Sequence, residues 1–217
     1  GLGYETGFLI ADDLESIIEN CDGVIDFSTK ENALKVLKIC VAHKKALVEG
    51  TTGFSAEEKA AFKDAGKEIP VLFAANTSRL VRSLNHVLDY LTKTIGNQTD
   101  VEIIEMHDRY KLDAPSGTSL EMGEIIAEAM GKNLKDVAVF GREGVAPRVE
   151  GTIGYHSVRA GNIPTSHTVI FGGIGERIEI THHAYNHRCF AMGAVTCMMY
   201  LDGKAPGYYG VEDALGD

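Results

Sequence analysis

The residues best suited to acid/base chemistry or ligand binding lie in one short stretch, HDRYKLDAPSGT, at positions 107–118. Six of its first seven residues have an ionisable side chain. In an extended strand, alternate side chains share a face, so His107, Arg109 and Lys111 would lie together on one side. Three potential cations on one face predict a site for an anionic ligand.

A helix start follows this charged stretch at once. Thr118 and Glu121 match the T-x-x-E pattern of a capping box, and Pro115 stiffens the entry to the helix. The backbone N–H groups of Gly117 and Thr118 would then point outward from the positive end of the helix, which suits a carboxylate. The alternative is a solvated strand end that runs into a well-capped helix, without a ligand.

Glycine-containing turns are the candidates for cofactor binding. EGTTGF follows a strand-like run, and Gly50, Thr51 and Thr52 could admit and hydrogen-bond a ligand at the carboxyl edge of a parallel sheet. A plain strand-to-helix turn is an equally good interpretation. FAANTS ends the next strand at the same edge, where Asn76 and backbone carbonyls are groups that hold a carboxamide. GLGYETG, at positions 1–7, lacks a preceding strand, so a flexible loop is favoured over a phosphate-binding turn.

The histidines late in the chain do not form a metal-binding pattern. His182 and His183 end a strand-like run and His187 follows, yet no Cys, Asp or Glu completes an obvious ligand set. A structural or substrate-facing role is favoured for them. His156 and His167 fall within strand-like segments, where hydrogen-bonded sheet residues are the simplest interpretation.

The first third of the chain alternates helices and strands, which is typical of a parallel sheet with crossover helices. The predicted elements alternate in chain order and cover residues 12–20, 23–27, 30–44, 46–49, 55–66 and 69–76. The first, third and fifth have helical spacing, and Ser55 with Glu58 forms a capping box at the start of the fifth. The other three are short apolar runs, typical of buried strands.

After a helix predicted at about 79–95, the pattern changes. A strand at 101–107 and a helix at 119–130 are followed by β-branched, glycine-linked segments with no helices between them. These segments predict a mixed or antiparallel sheet. A last helix, at 190–203, could return to the first half. The predicted fold class is therefore α/β, with a parallel sheet in the first part and a second α+β domain.

Bulk composition disfavours several classes of protein. The 217 residues are 44% hydrophobic and 24% charged, which suits a buried core in one large or two small domains. A net charge of −10 without a basic stripe disfavours a nucleic-acid partner. Four cysteines without CxxC spacing, no apolar run of about 18 residues and no signal-peptide pattern predict a cytoplasmic protein with free thiols and no membrane contact.

The stretch EIIEMHDRYKLDAPSGTSLEMGE resembles the His-His-x-x-Lys-x-Asp-x-Pro-Ser-Gly-Thr signature of the dihydrodipicolinate reductase family. Further similar segments occur in the family's order, among them VIDFS, GTTGF, FAAN, GTIGYHSVRAG and GERIEITH, so nearly the whole chain is covered. The resemblance implies reduction of a cyclic unsaturated dicarboxylate to tetrahydrodipicolinate by NADH or NADPH, in lysine and diaminopimelate biosynthesis. It also implies a homotetramer, a Rossmann-like dinucleotide domain at 1–78 and 189–217, and a substrate-binding and oligomerisation domain at 79–188.

The resemblance implies roles for individual residues as well. His107 matches the family's acid/base histidine and Lys111 its proton-donating lysine, while Gly117 and Thr118 match the residues that grip a substrate carboxylate. The residues that match the two nicotinamide-side loops are Gly50, Thr51, Thr52, Ala74, Ala75, Asn76 and Thr77. A dianionic substrate agrees with the cations and the helix start inferred above, and a protonated Lys111 can deliver a proton as hydride arrives.

Several positions depart from the family pattern. The family begins with a strand, a GxGxxG turn and a helix that this chain lacks, which implies an N-terminally truncated Rossmann-like sheet with weak cofactor binding. Asp108 occupies the position of a second, substrate-binding histidine, where a carboxylate would repel a dicarboxylate. Leu80 and Arg82 replace a glycine and an asparagine, and His187 replaces an arginine. Two alternatives therefore stay open: a divergent or catalytically impaired relative that acts on another imine or carboxylate, and an assembly module that retains the family's oligomerisation sheet.

Overall fold

Two sheets organise the chain in the computed structural model, which describes Gly7 and residues 10–216. One sheet has four parallel strands, and the other has five strands of mixed direction. The predicted fold class, α/β with a Rossmann-like parallel sheet and a second α+β part, is confirmed. Outside the described residues lies the GLGYETG segment, apart from Gly7.

The two sheets belong to separate units of the chain. The parallel-sheet unit comprises the described residues of Gly1–Ala74 together with Ala194–Ala214. The mixed-sheet unit comprises Ala75–Gly193 and the described residues of Leu215–Asp217. The functional domains predicted from the sequence, with boundaries after residues 78 and 188, stay a prediction.

The parallel-sheet unit is built from short strands joined by helices. Its strands are β1 (Gly23–Asp26), β2 (Ala46–Glu49), β3 (Pro70–Phe73) and β9 (Gly207–Tyr209), and its crossover helices are α1 (Lys30–Ala42) and α2 (Ala56–Ala65). The strands lie in the order β1-β2-β3-β9. Leu37 of α1, Phe62 of α2 and Val71 of β3 belong to one buried apolar cluster. The predicted Ser55–Glu58 capping box is present at the start of α2.

The mixed-sheet unit carries longer strands. These are β4 (Asp100–His107), β5 (Ala138–Phe140), β6 (Ile153–Arg159), β7 (Thr165–Gly172) and β8 (Arg177–Ala184), in the order β5-β6-β4-β7-β8. Strands β4, β5 and β6 are parallel, whereas β7 is antiparallel to both β4 and β8. Its helices are α3 (Arg79–Ile95), α4 (Gly117–Ala129) and α5 (Leu134–Val137). Two further helices, α6 (Arg188–Leu201) and α7 (Val211–Leu215), contribute residues to both units.

One face of the mixed sheet forms an apolar core with α3 and α4. The buried residues of this core are Val81, Leu84, Leu88, Val101, Ile103, Met122, Ile126, Ala127, Ile153, Tyr155, Val169 and Phe171. The next residue of β4 on this face is Glu105, which pairs in register with Ser157 of β6 and His167 of β7. The apolar core therefore gives way to polar side chains at the carboxyl end of β4.

The structure differs from the sequence-based prediction near the start of the described chain. The helix predicted at 12–20 is wrong, because within this segment only Ile18–Asn20 is helical, as a 3₁₀ turn. The side chain of Asp13 accepts the Glu15 N–H, and its carbonyl accepts the Ser16 hydroxyl. Such local bonds compete with a helix. Strand β9 was not predicted, since three residues carry too little periodicity.

All four cysteines are free thiols; Cys40 and Cys197 are buried, and Cys21 and Cys189 are partly exposed. Over the described ranges, no helix is both long enough and apolar enough to cross a membrane.

Candidate active site

A buried carboxylate, Glu105, lies at the centre of the polar end of the mixed sheet. Its two oxygens accept hydrogen bonds from the two terminal nitrogens of Arg159, at 2.7 Å each. Its Oε2 also lies 2.5 Å from Nδ1 of His107, two residues further along the same face of β4. The backbone N–H of Ser116 donates to Oε1 at 3.3 Å. Because Glu105 is only 1% exposed, its charge depends on these partners rather than on water.

The protonation states of Glu105 and His107 follow from this environment. Burial alone would raise the pKa of Glu105, but hydrogen bonds from Arg159, Ser157 and His107 outweigh it and lower the pKa to about 2. Burial lowers the pKa of His107 below its ordinary value of 6.5, against the opposing effect of Glu105. At neutral pH the pair is therefore a carboxylate and a neutral imidazole. Since a carboxylate only accepts, the imidazole proton resides on Nδ1, and Nε2 carries the free lone pair.

Ser116 caps the helix that follows the charged stretch. Its Oγ accepts the backbone N–H of Ser119 at 3.2 Å and lies 2.8 Å from Nε2 of His167. Burial, and then the neighbouring His107, lower the pKa of His167 to about 3, so this histidine is neutral. The rings of His107 and His167 lie 5.3 Å apart. Ser116 and His167 thus connect the start of α4 to the Glu105–His107 pair.

The predicted capping box of Thr118 and Glu121 is wrong, because α4 begins at Gly117, before Thr118. The carboxylate of Glu121 instead accepts a hydrogen bond from the Asn85 side chain of α3, at 3.2 Å. The hydroxyl of Thr118 accepts one from the Asn76 side chain, at 2.9 Å. A predicted cofactor-loop residue and a predicted substrate residue are therefore in direct contact within the mixed-sheet unit.

The predicted extended face of His107, Arg109 and Lys111 is also wrong. Strand β4 ends at His107, and the chain turns at Arg109 and Tyr110. In this turn the Asp108 side chain accepts the backbone N–H of Tyr110 at 2.8 Å. Asp favours such turns because its carboxylate reaches a backbone N–H two residues later. The structure thus gives Asp108 a local role in the turn, and its predicted contact with a substrate stays a prediction.

Lys111 is linked to the same site through Asp113. Its Nζ lies 2.8 Å from Oδ1 of Asp113, and the backbone carbonyl of Asp113 accepts a hydrogen bond from Arg159 at 2.7 Å. Burial would raise the pKa of Asp113, but its interaction with Lys111 lowers it on balance, so the two form an ion pair. The loop that carries Lys111 is therefore tied to the arginine that neutralises Glu105.

The first predicted cofactor loop lines a cleft in the parallel-sheet unit. Residues 27–30, after β1, and Gly50, Thr51 and Thr52, after β2, surround a cleft of ≈ 270 Å³. Both loops lie at the carboxyl ends of parallel strands, where open α/β sheets bind ligands. A Cβ at Gly50 would lie 2.2 Å from the Phe27 ring, so only glycine allows this close approach. The structure therefore brings Gly50, Thr51 and Thr52 to one cleft.

The second predicted cofactor loop has most of its polar side chains engaged. Ala74 is buried and donates its N–H to the Glu49 carbonyl at 2.9 Å, whereas Ala75 is exposed. Thr77 is fully buried and its hydroxyl donates to the Phe190 carbonyl at 2.8 Å. Since the Asn76 side chain is also engaged, the backbone groups of this loop are its better candidates for holding a ligand.

Sequence reasoning missed four residues of the site: Glu105, Ser116, Arg159 and His167. One signal was available, because the alternation V-x-I-x-E-x-H places Glu105 on the buried face of β4, two residues before His107. Arg159 and His167 are distant in sequence and reach Glu105 only through strand pairing. No local pattern predicts that pairing.

The other histidines do not gather into a metal site. His182 is buried opposite His167, while His183 and His187 are exposed. Among the residues that the structure describes, no group of three or more His, Cys, Asp or Glu side chains could hold a metal ion.

Comparison with known proteins gives matches across the whole chain. A family model described as "Dihydrodipicolinate reductase, N-terminus" matches residues 1–77, and one described as "Dihydrodipicolinate reductase, C-terminus" matches residues 81–215. The 4-hydroxy-tetrahydrodipicolinate reductase of Hahella chejuensis is 48% identical over 217 residues, which are 100% of this chain and 81% of that protein.

Solved structures with similar folds include a reductase and a dehydrogenase. A dipicolinate-bound dihydrodipicolinate reductase from Paenisporosarcina sp. TG-14 aligns with a TM-score of 0.65 and 24% identity, over 93% of this chain and 77% of that one. An amine dehydrogenase from Mycobacterium smegmatis aligns with a TM-score of 0.58 and 13% identity, over 98% and 82% of the two chains. At these identities the two alignments support the fold alone.

Glu49, beside the first cofactor loop, makes the stability of the protein depend on pH. It is fully buried, its Oε1 accepts the Thr51 N–H at 2.7 Å, and burial raises its pKa from 4.5 to about 7 despite hydrogen bonds from Thr51. Because the folded pKa lies above the unfolded one, this contribution to stability is complete below pH 4.5 and is lost as pH rises through 7.

We expect Glu49→Gln, which stays neutral and keeps the acceptor for Thr51, to remove this part of the pH dependence. At pH 8 the free energy of unfolding of the variant should exceed that of the wild type by up to about 3 kcal/mol, and at pH 4.5 the difference should vanish. Urea denaturation at both pH values measures this, with the exposed Glu57→Gln as control. Equal pH dependence in wild type and variant would contradict the buried neutral carboxyl.

Proposed function

We propose, from the premise that the chain belongs to the dihydrodipicolinate reductase family, that the polar end of its mixed sheet is the active site. The chain reduces dihydrodipicolinate (4-hydroxy-tetrahydrodipicolinate) to tetrahydrodipicolinate, a step of lysine and diaminopimelate biosynthesis. Each turnover consumes one hydride and one proton. The observation that carries the proposal is the buried Glu105–His107 pair, with Lys111 nearby and the start of α4 hydrogen-bonded to the same carboxylate.

The nicotinamide side of the cofactor, NADH or NADPH, would be held by the cleft at Gly50, Thr51 and Thr52. The fit rests on the glycine that lets the chain approach Phe27 closely and on the position of the cleft at the carboxyl ends of β1 and β2. The second predicted loop, Ala74, Ala75, Asn76 and Thr77, would bind the cofactor through backbone groups other than the Ala74 N–H, which donates to the Glu49 carbonyl. The bound cofactor supplies the hydride.

The substrate carboxylates would be recognised by the start of α4 and by the cations of the preceding loop. The first turn of a helix leaves the N–H groups of Gly117 and Thr118 without intrahelical acceptors, at the positive end of the helix dipole. Ser116 caps the helix through its side chain, which leaves these two N–H groups for a ligand. Lys111 and the exposed Arg109 supply positive charge for a dianion.

The proton would be delivered by Lys111 with the help of His107. Lys111 is an ammonium held at the site by Asp113, so it can donate a proton as the substrate gains a hydride. His107 commits Nδ1 to Glu105, which leaves Nε2 to take up and return a proton. The protein groups thus bind the dianion, orient it and supply the proton that balances the hydride.

His107→Gln and Lys111→Met should each lower kcat by about 10²-fold, since each removes a proton-transfer group while keeping a similar shape. His107→Gln can still donate to Glu105, so its KM for the substrate should change little. Oxidation of the reduced cofactor, followed by absorbance with dihydrodipicolinate, measures both constants. The matched control is Lys135→Met, which removes an exposed lysine of the same unit and should leave kcat unchanged. Wild-type kcat in both active-site variants would remove them from the mechanism.

Asp108→Asn should lower KM for the dicarboxylate by about two- to fivefold, because it removes a repelling charge near the surface. Asn keeps the side-chain oxygen that accepts the Tyr110 N–H, so the turn is preserved. The gain should shrink at high salt, which screens the repulsion. Asp108→Ala, which removes both charge and acceptor, separates the two effects. An unchanged KM at low salt would place Asp108 outside the range of the substrate.

A homotetramer is the assembly we propose, formed through the face of the mixed sheet opposite α3 and α4. This face carries the apolar residues Ile104, Met106, Val158 and Ile170, and Val158 is 38% exposed. Light scattering should give four times the mass of one chain for the wild type, and Val158→Glu should dissociate it. A monomeric wild type would refute the proposal.

A further inference from the structure

We propose that Glu105 is a positioning residue that controls both the tautomer of His107 and the placement of the start of α4. The proposal rests on the proposed function in one respect, since His107 is taken to be the acid/base group. Glu105 itself need not touch the substrate. Its effect would pass through the two groups that its oxygens hold.

The two oxygens of Glu105 have separate tasks. Oε2 faces Nδ1 of His107 at 2.5 Å and one nitrogen of Arg159 at 2.7 Å. Oε1 faces the other nitrogen of Arg159 at 2.7 Å and the backbone N–H of Ser116 at 3.3 Å. The planar guanidinium fixes the plane of the carboxylate, as bidentate pairs do. Neither oxygen can therefore rotate away from its second partner.

For His107 this arrangement decides which ring nitrogen can exchange a proton with the substrate. Oε2 accepts only, so the neutral ring must keep its proton on Nδ1. Nε2 is then available as base in the neutral ring and as acid in the protonated ring. A neutral partner in place of the carboxylate could donate to Nδ1 and move the ring proton to Nε2.

For α4 the same carboxylate places the capping residue. Oε1 holds the backbone N–H of Ser116, while the side chain of Ser116 lies between Ser119 and His167. Ser116 directly precedes Gly117 and Thr118, the residues proposed to bind a substrate carboxylate. A shift at Ser116 would move those N–H groups relative to His107. One buried charge therefore fixes the position of the proton-transfer group relative to the anion-binding group.

Glu105→Gln tests the proposal because glutamine has one acceptor oxygen where glutamate has two. If its amide faced Ser116 it would meet two donors, from Ser116 and Arg159, and no acceptor. If its amide faces His107 it can donate to Nδ1. We therefore expect the second orientation, with the His107 proton moved to Nε2, kcat lowered on the order of 10²-fold, and a smaller change in KM.

The decisive measurements are the ¹⁵N chemical shifts of the His107 ring and the pH profile of kcat. The wild type should show Nδ1 protonated, and Glu105→Gln should show Nε2 protonated at neutral pH. In Glu105→Gln, the limb of the kcat–pH profile that reports His107 should move to lower pH, because the carboxylate that favours the imidazolium is gone. Glu105→Asp keeps the charge and should restore the wild-type tautomer.

Glu102→Gln is the matched control on the opposite face of the same strand. Glu102 also accepts from both terminal nitrogens of an arginine, Arg142, at 2.6 and 2.8 Å, and lies 2.8 Å from a histidine, His156. Burial would raise the pKa of Glu102, but hydrogen bonds from Arg142, His156 and Arg148 outweigh it and lower the pKa to about 2. Light scattering should first show that Glu102→Gln has the same assembly state as the wild type. This variant should then reproduce any loss of stability seen in Glu105→Gln but leave kcat and the pH profile unchanged.

The experiments distinguish a failure of the positioning role of Glu105 from a failure of the proposed function. A wild-type tautomer in folded Glu105→Gln, or an equal fall of kcat in Glu102→Gln, overturns the positioning role. If His107→Gln keeps wild-type kcat, the proposed function fails, but the ring shifts still decide whether Glu105 sets the tautomer. The two failures are therefore distinguishable.

Discussion

The burial of one carboxylate, Glu105, at the end of an otherwise apolar sheet face is the constraint on which the rest of the site depends. A buried charge without partners costs several kcal/mol, so its partners must be present and correctly placed. Arg159 supplies the opposite charge, and His107 and Ser116 supply the remaining donors. Groups from two strands and one helix are thereby held together, and two of them, His107 and the start of α4, are parts of the site that the proposed chemistry uses.

The two faces of β4 carry chemically similar groups in different surroundings. Glu102 and Glu105 each combine a bidentate arginine with a histidine, and each has a strongly lowered pKa. An odd number of positions separates them, so they lie on opposite faces. Glu105 lies beside the start of α4, whereas Glu102 binds the loop that carries Arg142 and Arg148. Position relative to the helices, rather than residue type, distinguishes them, since Glu105, unlike Glu102, accepts a hydrogen bond from the residue that caps α4.

The departures from the family pattern have local explanations in part. Asp108 is used within a turn, where its side chain accepts a backbone N–H. Leu80 and Arg82 lie in the first turns of α3, which Ser78 caps, so the helix starts without the glycine of the family pattern. Nothing in the structure explains why His187 replaces an arginine. The family and the activity predicted from the motifs are confirmed nonetheless, because the two family models and a reductase that is 48% identical over the whole chain match it.

The sequence by itself determined the fold class, most of the helices and strands, and the family, because periodicity and short motifs are local properties of the chain. It also predicted His107, Lys111 and the helix start as one candidate site. It misplaced the helix cap at Thr118 and treated residues 107–111 as extended chain, although it ended the strand correctly at His107, because caps and turns depend on which backbone groups find partners. Only the tertiary structure decided the partners of Glu105, since Arg159 lies 54 residues away and reaches it through the register of β4 and β6. That register is set by the burial of whole sheet faces, which no local pattern contains.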